Sequence, residues 1–149
     1  MENENIVSVV TAVFNGADEK NWAKIENAFA PEVLLDYTSM SGGEPVKLSP
    51  QQITGAWKQL FPGMDRTHHA ISNFNIAVQD GEASVYAEGI ANHFMDGKVW
   101  TVEGTYEVKL VRSGAGWAIT AFKFNLEKQS GDTQMPGRAR QRAAEMANR

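Results

Sequence analysis

The 149-residue sequence contains no cysteine. That removes disulfides, thiolate zinc sites and a cysteine nucleophile from consideration. Long apolar runs are missing too, and no stretch approaches the ~18 consecutive apolar residues of a membrane-spanning helix. Basic charge is scarce. Lysine and arginine number 14 against 18 aspartates and glutamates, a net of −4 at pH 7, which disfavours a general nucleic-acid binder. The three histidines show no H-x-H or H-x-x-x-H spacing, so no metal site is expected. Phosphate-loop and dinucleotide fingerprints are absent, and Gly114-Ala115-Gly116 falls where a hairpin turn is expected. No G-x-S-x-G supports serine catalysis. The first ten residues, MENENIVSVV, are acidic where a secretory signal is basic, giving the expectation of a cytoplasmic protein with no membrane partner.

What is present suits one globular domain: 42% hydrophobic and 21% charged residues, with length for a single core. Ile6, Val9, Val10, Val13 and Phe14 recur at helical spacing. Asn15-Gly16 is expected to break that helix. Trp22, Ile25 and Phe29 predict a second helix ended by Pro31, and Val33 to Tyr37 a strand. Ser49-Pro50-Gln51-Gln52 has the form of a capping box with proline at the first helical position, opening a third helix with Ile53, Trp57, Leu60 and Phe61 on its apolar face. After residue 68 the period changes to two. Asp80-Gly81, Asp96-Gly97 and Ser113 to Gly116 separate strands around Phe74–Val78, Val85–Phe94, Val102–Leu110 and Trp117–Phe124. Three helices followed by long antiparallel strands predict an α+β fold whose curved sheet wraps the helices and encloses a pocket.

Four residues could carry chemistry: Asp18, Tyr37, His69 and His93. Each has a plainer reading. Asp18 lies just before the second helix, where an aspartate commonly caps. Tyr37 ends a strand as many core tyrosines do. His68 and His69 are neighbours in a strand, so at most one faces the pocket. His93 shares a strand face with Ala87, Gly89 and Ala91, small residues that leave room for a ligand or for a helix.

Two segments resemble scytalone dehydratase, a cofactor-free enzyme of fungal melanin synthesis. One runs from Lys20-Asn21-Trp22 through Ala30-Pro31 to Leu35-Asp36-Tyr37. The other runs from Arg66-Thr67-His68-His69 to His93, with a weaker continuation through Gly116-Trp117 to Lys123. Together they span roughly residues 13 to 125. The resemblance implies an NTF2-like cone, with Asp18 as pocket aspartate, His69 and His93 as catalytic histidines, and Tyr37 holding a water on the substrate carbonyl. Related dehydrochlorinase and SnoaL-like branches share an aspartate and a histidine at the positions of Asp18 and His69. The chain departs from the pattern at Ala17, where the fungal enzyme has a second water-holding tyrosine. It departs again at Gly104 and Tyr106, in place of a serine and an asparagine, with Tyr106 able to supply a replacement hydroxyl. A different substrate is therefore expected.

The implied activity is a cofactor-free lyase of dehydratase type on a small cyclic or aromatic carbonyl compound. His69 would act as base and then acid, oriented by Asp18, against an apolar wall of Phe14, Trp57, Phe61, Tyr106 and Phe124. Isomerisation, polyketide cyclisation and dehydrohalogenation share that proton abstraction and remain alternatives. So does a non-catalytic small-molecule-binding or protein-interaction module, since NTF2-like sheets often pair into homodimers or homotrimers. The domain is expected over residues 1–128. Beyond it, four arginines against Asp132 and Glu145 give a tail of +2, leaving −6 on the remainder. That tail is expected to be either a lid or a solvated end.

Overall fold

The helical period at the start of the chain produces α1 (Glu2–Glu19), which buries Ile6, Val10, Val13, Phe14 and Ala17 along one stripe. The computed structural model describes residues 2–148. Contrary to the sequence expectation, Asn15-Gly16 does not break α1. Gly16 is an interior helical residue whose missing side chain lets α2 (Trp22–Ala28) pack close, since a Cβ there would meet Ile25 Cγ1 at 2.6 Å. Lys20, at φ 54, makes the turn instead. Asp18 is likewise not a cap. It lies in the last turn of α1, and the cap of α2 is Asn21, whose side chain accepts from the Lys24 N–H at 3.2 Å.

α2 ends at Ala28, and Phe29 is already extended, so strand β1 (Phe29–Asp36) incorporates Pro31 and does not follow it. A short helical turn, α3 (Thr38–Ser41), and a short edge strand, β2 (Val46–Leu48), lead to α4 (Pro50–Trp57). The capping box expected at α4 is formed. Ser49 Oγ accepts from the Gln52 N–H at 3.1 Å while Gln52 Oε1 accepts from the Ser49 N–H at 2.9 Å. A 3₁₀ turn (Phe61–Gly63) ends the helical part.

Four long strands follow: β3 (Arg66–Gln79), β4 (Glu82–Met95), β5 (Lys98–Ser113) and β6 (Gly116–Gly131). The six-stranded sheet has the order β2-β1-β6-β5-β4-β3, with β1 parallel to β6 and the remaining pairs antiparallel. It is curved and unclosed, and the N-terminal helices pack in its concave side. Alternation along β4 is strict, with odd-numbered residues from Ala83 to Met95 turned inward. In β6 a register shift opposite Lys109/Leu110 changes the inward set from Trp117 and Ile119 to Phe122 and Phe124. Burying side chains of the size of Ile25, Ile53, Ile119 and Phe122, each 0% exposed, contributes about 1.5–3 kcal/mol apiece.

β6 crosses residue 128 without interruption, and helix α5 (Met135–Ala147) follows it. Met135, Ala139 and Ala143, at i, i+4 and i+8, bury one face of α5. Its backbone approaches the 3₁₀ turn so closely that a Cβ on Gly63 would lie 1.8 Å from the Ala139 carbonyl oxygen. No helix among the described residues is long and apolar enough to cross a membrane.

Candidate active site

A carboxylate in the last turn of a helix sits at the negative end of the helix dipole, where it is disfavoured unless donors hold it. Asp18 has three. The His69 backbone N–H donates to Oδ2 at 2.8 Å, Thr67 Oγ1 donates to Oδ1 at 2.8 Å, and His69 Nδ1 lies 2.6 Å from Oδ1. Burial pushes the Asp18 carboxyl upward. The hydrogen bonds from His69, its charge and the Thr67 hydroxyl outweigh that and hold the group below the ordinary carboxylate value. Since a carboxylate only accepts, Nδ1–H of His69 is the donor, so that the neutral form of the ring carries its lone pair on Nε2.

Strand register explains which histidine takes part. Thr67 and His69 occupy the concave face of β3 while His68 is exposed, so the alternation that left the choice open resolves to His69. Across β3 and β4, Thr67 pairs with His93 and His69 with Ala91. His93 is 5% exposed. Its Nδ1–H donates to the Trp100 carbonyl at 2.9 Å, its ring stacks on Trp100 at 4.2 Å between centroids, and its cross-strand partner in β5 is that same Trp100. Burial lowers the His93 pKa from 6.5 to about 4. The Trp100 hydrogen bond opposes this, and the neighbouring His69 charge adds to it. His93 is therefore a neutral ring at physiological pH. The two histidine rings lie 6.0 Å apart, nearly perpendicular.

These groups border a cavity of about 480 Å³ between α1, α4, the sheet and α5. Phe14, one helical turn before Asp18, places its ring 5.7 Å from that of His69. Trp57 and Phe61 supply the wall from the α4 side, and Tyr106 and Phe124 from the sheet. Tyr37 lines the same cavity, with its ring 5.8 Å from Phe124. Burial pushes the hydroxyls of Tyr37 and Tyr106 upward, and in Tyr37 the nearby Tyr106 adds to the shift. Both remain protonated donors at neutral pH. The structure thus brings Tyr37, His69, His93, Phe14, Trp57, Phe61, Tyr106 and Phe124 to one cavity, with Asp18 behind His69.

The small residues of β4 serve two ends. Ala91 lines the cavity, whereas a Cβ on Gly89 would strike Tyr106 Cε2 at 2.5 Å, so Gly89 makes space for the tyrosine ring. Sequence reasoning missed Thr67, Trp100 and Arg140. Thr67 was within reach, being two residues before His69 on the same strand face. The roles of Trp100 and Arg140 depend on cross-strand register and on the return of α5 over the cavity, where Pro136 and Arg140 form part of its lining. Among the described residues no group of three or more His, Asp or Glu side chains converges in a way that could hold a metal ion.

Comparison with known proteins gives the fold a name. No curated protein sequence matches the chain significantly. Among solved structures, the Kfla4162 protein of Kribbella flavida superimposes with a TM-score of 0.83 at 22% identity, over 93% of this chain and 97% of its own. A proposed aromatic ring hydroxylase from Novosphingobium aromaticivorans gives 0.79 at 22% identity, over 93% and 96%. A proposed scytalone dehydratase from the same species gives 0.74 at 14% identity, over 87% and 86%. A proposed dehydratase of the NTF2-like family from Streptomyces avermitilis gives 0.72 at 10% identity, over 85% and 97%. Identities this low show a shared NTF2-like fold and leave the reaction open. The family model of the SnoaL-like domain matches residues 2–123, and the chain belongs to that family.

Proposed function

We propose that the protein is a cofactor-free lyase of dehydratase type, acting on a small cyclic or aromatic compound with a hydroxyl β to a carbonyl. The observation that carries this reading is the Asp18–His69 contact of 2.6 Å beside an aromatic-walled cavity. Nε2 of His69 takes the proton on the carbon next to the carbonyl, and the C–H electrons pass into an enolate. Asp18 fixes the tautomer and favours the imidazolium that forms. Tyr37, directly or through a water, donates to the oxygen on which charge develops. The enolate then expels the β-hydroxyl, which receives the proton from His69 and leaves as water. His93 offers a neutral Nε2 able to accept a hydrogen bond from the leaving group or from a water. No step calls for an outside electron carrier.

The experiment is proton NMR of β-hydroxyketones and cyclic ketones in D₂O, with wild type and His69→Ala side by side. Deuterium exchange or elimination is expected in the wild type, with a loss of a hundredfold or more in the variant, on the order expected for removing a general base. A loss below tenfold removes His69 from the role of base. Exchange without elimination would shift the assignment to an isomerase on the same dyad.

A further inference from the structure

Three arginines alternate along α5, and two of them are engaged. Arg138 is paired with Asp132, and Arg142 spans Asp65 at 3.1 Å and Asp96 at 2.6 Å. They sit one turn apart on the same side of the helix. Arg140, two residues from each, is rotated about 200° away and reaches the lining of the cavity. Among the described residues no carboxylate pairs with Arg140, and no aspartate or glutamate lines the cavity. Burial keeps Tyr37, Tyr106 and His93 uncharged there. A cation without a counter-ion therefore stands at the edge of an aromatic cavity, on a helix whose other arginines are tied down.

We propose that Arg140 reads an anionic group on the ligand, so that the cavity takes flat cyclic or aromatic carboxylates. Their ring enters against Phe14, Phe61 and Tyr106, and their carboxylate stays at the mouth on the guanidinium. The planar fork of arginine matches a carboxylate in two hydrogen bonds. Its exposed position lets the anion keep part of its hydration, where a deeper site would impose the full desolvation cost. The inference rests on the reading of this cavity as the ligand site, and not on the elimination chemistry of His69.

The test is isothermal titration calorimetry at pH 8 with 2-naphthoate and its neutral near-isostere 2-naphthamide, on wild type and on Arg140→Gln, Arg140→Lys and His69→Ala. Naphthoate should bind wild type about fivefold tighter than naphthamide, the top of the range for an exposed ion pair. The preference should vanish in Arg140→Gln, return in part in Arg140→Lys, and persist in His69→Ala. Equal affinities in wild type, a preference that survives Arg140→Gln, or no binding of naphthoate at millimolar concentration each overturn the proposal. A preserved preference together with full turnover by His69→Ala would instead overturn the catalytic reading and leave this one standing.

Discussion

Asp18 and His69 meet through two separate contacts, the ring Nδ1 on Oδ1 at 2.6 Å and the backbone N–H on Oδ2 at 2.8 Å. The carboxylate thus fixes both the ring and the strand that carries it. Asp18→Asn keeps the size of the side chain and removes the negative charge that faces the His69 ring. Any elimination activity should fall by about a hundredfold or more, in kcat and not in KM, because the charge acts on the imidazolium of the transition state. Stability carries a second signature. The folded-state pKa of Asp18 is depressed, so its contribution is present above the ordinary value of 3.8, is lost as pH falls through the folded value, and is missing in the variant. Urea unfolding from pH 7 to pH 3 should show a shallower acid loss for Asp18→Asn than for wild type. Parallel curves would mean that the charge is not what holds the pair.

His93 should titrate far below an ordinary histidine, near 4 against 6.5. Between those values the folded protein binds fewer protons than the unfolded chain, so acid favours unfolding. The stabilisation is full above pH 6.5, declines through the window and is exhausted below about 4. The total is on the order of 3 kcal/mol for a shift of that size. The check is the Cε1–H chemical shift of His93, assigned by comparison with His93→Gln. A midpoint near 6.5 would show that the ring is hydrated and remove its role as a neutral acceptor.

Which parts of this arrangement could be read in advance follows from the kind of information each needs. The capping box at Ser49, the hairpin turns at Asp80-Gly81 and Asp96-Gly97, and the alternation that turns His93 inward are local. Neighbouring residues state them directly. Gly16 was misread because a glycine after asparagine has the form of a helix stop. Its actual cause, contact with Ile25, lies nine residues away in another helix. For Asp18 the local sequence left the cap and the pocket aspartate both open, because its partners Thr67 and His69 come from β3. The inward turn of Phe122 and Phe124 follows a register shift that no period-two reading contains. Arg140 depends on where a helix beyond the sheet returns, which is tertiary information throughout.

Gly89 and Tyr106 make a case for small residues that shape a cavity indirectly. An added methyl at Gly89 would meet Tyr106 Cε2 at 2.5 Å and Ile71 Cδ1 at 3.1 Å. Gly89→Ala should therefore push the Tyr106 ring further into the cavity and cost about 1–3 kcal/mol through overpacking. Combining it with Tyr106→Leu should recover much of that loss, since the clashing ring edge is gone. The comparison is a double-mutant cycle by urea denaturation. Strict additivity of the two changes would show that the ring and the glycine are not coupled.

Beside the buried face of Met135, Ala139 and Ala143, α5 makes two further kinds of contact at the cavity mouth that should differ greatly in weight. The ion pairs of Arg138 and Arg142 lie at the surface, where exchange with water and salt leaves little net gain. The approach of Gly63 to the Ala139 carbonyl is backbone against backbone, and a Cβ at 1.8 Å has no side chain to displace. Gly63→Ala should consequently undock α5 while the sheet and α1 stay folded, and Arg142→Ala should leave it in place. Limited trypsin digestion separates the two, because Arg138, Arg140 and Arg142 are cleavage sites that a docked helix protects. Early loss of the C-terminal segment is expected from Gly63→Ala alone, over a resistant body. The same time course in Gly63→Ala as in wild type would show that the helix tolerates the shift. If Arg142→Ala is the variant that is cut early, the surface ion pairs hold α5 and the backbone contact does not.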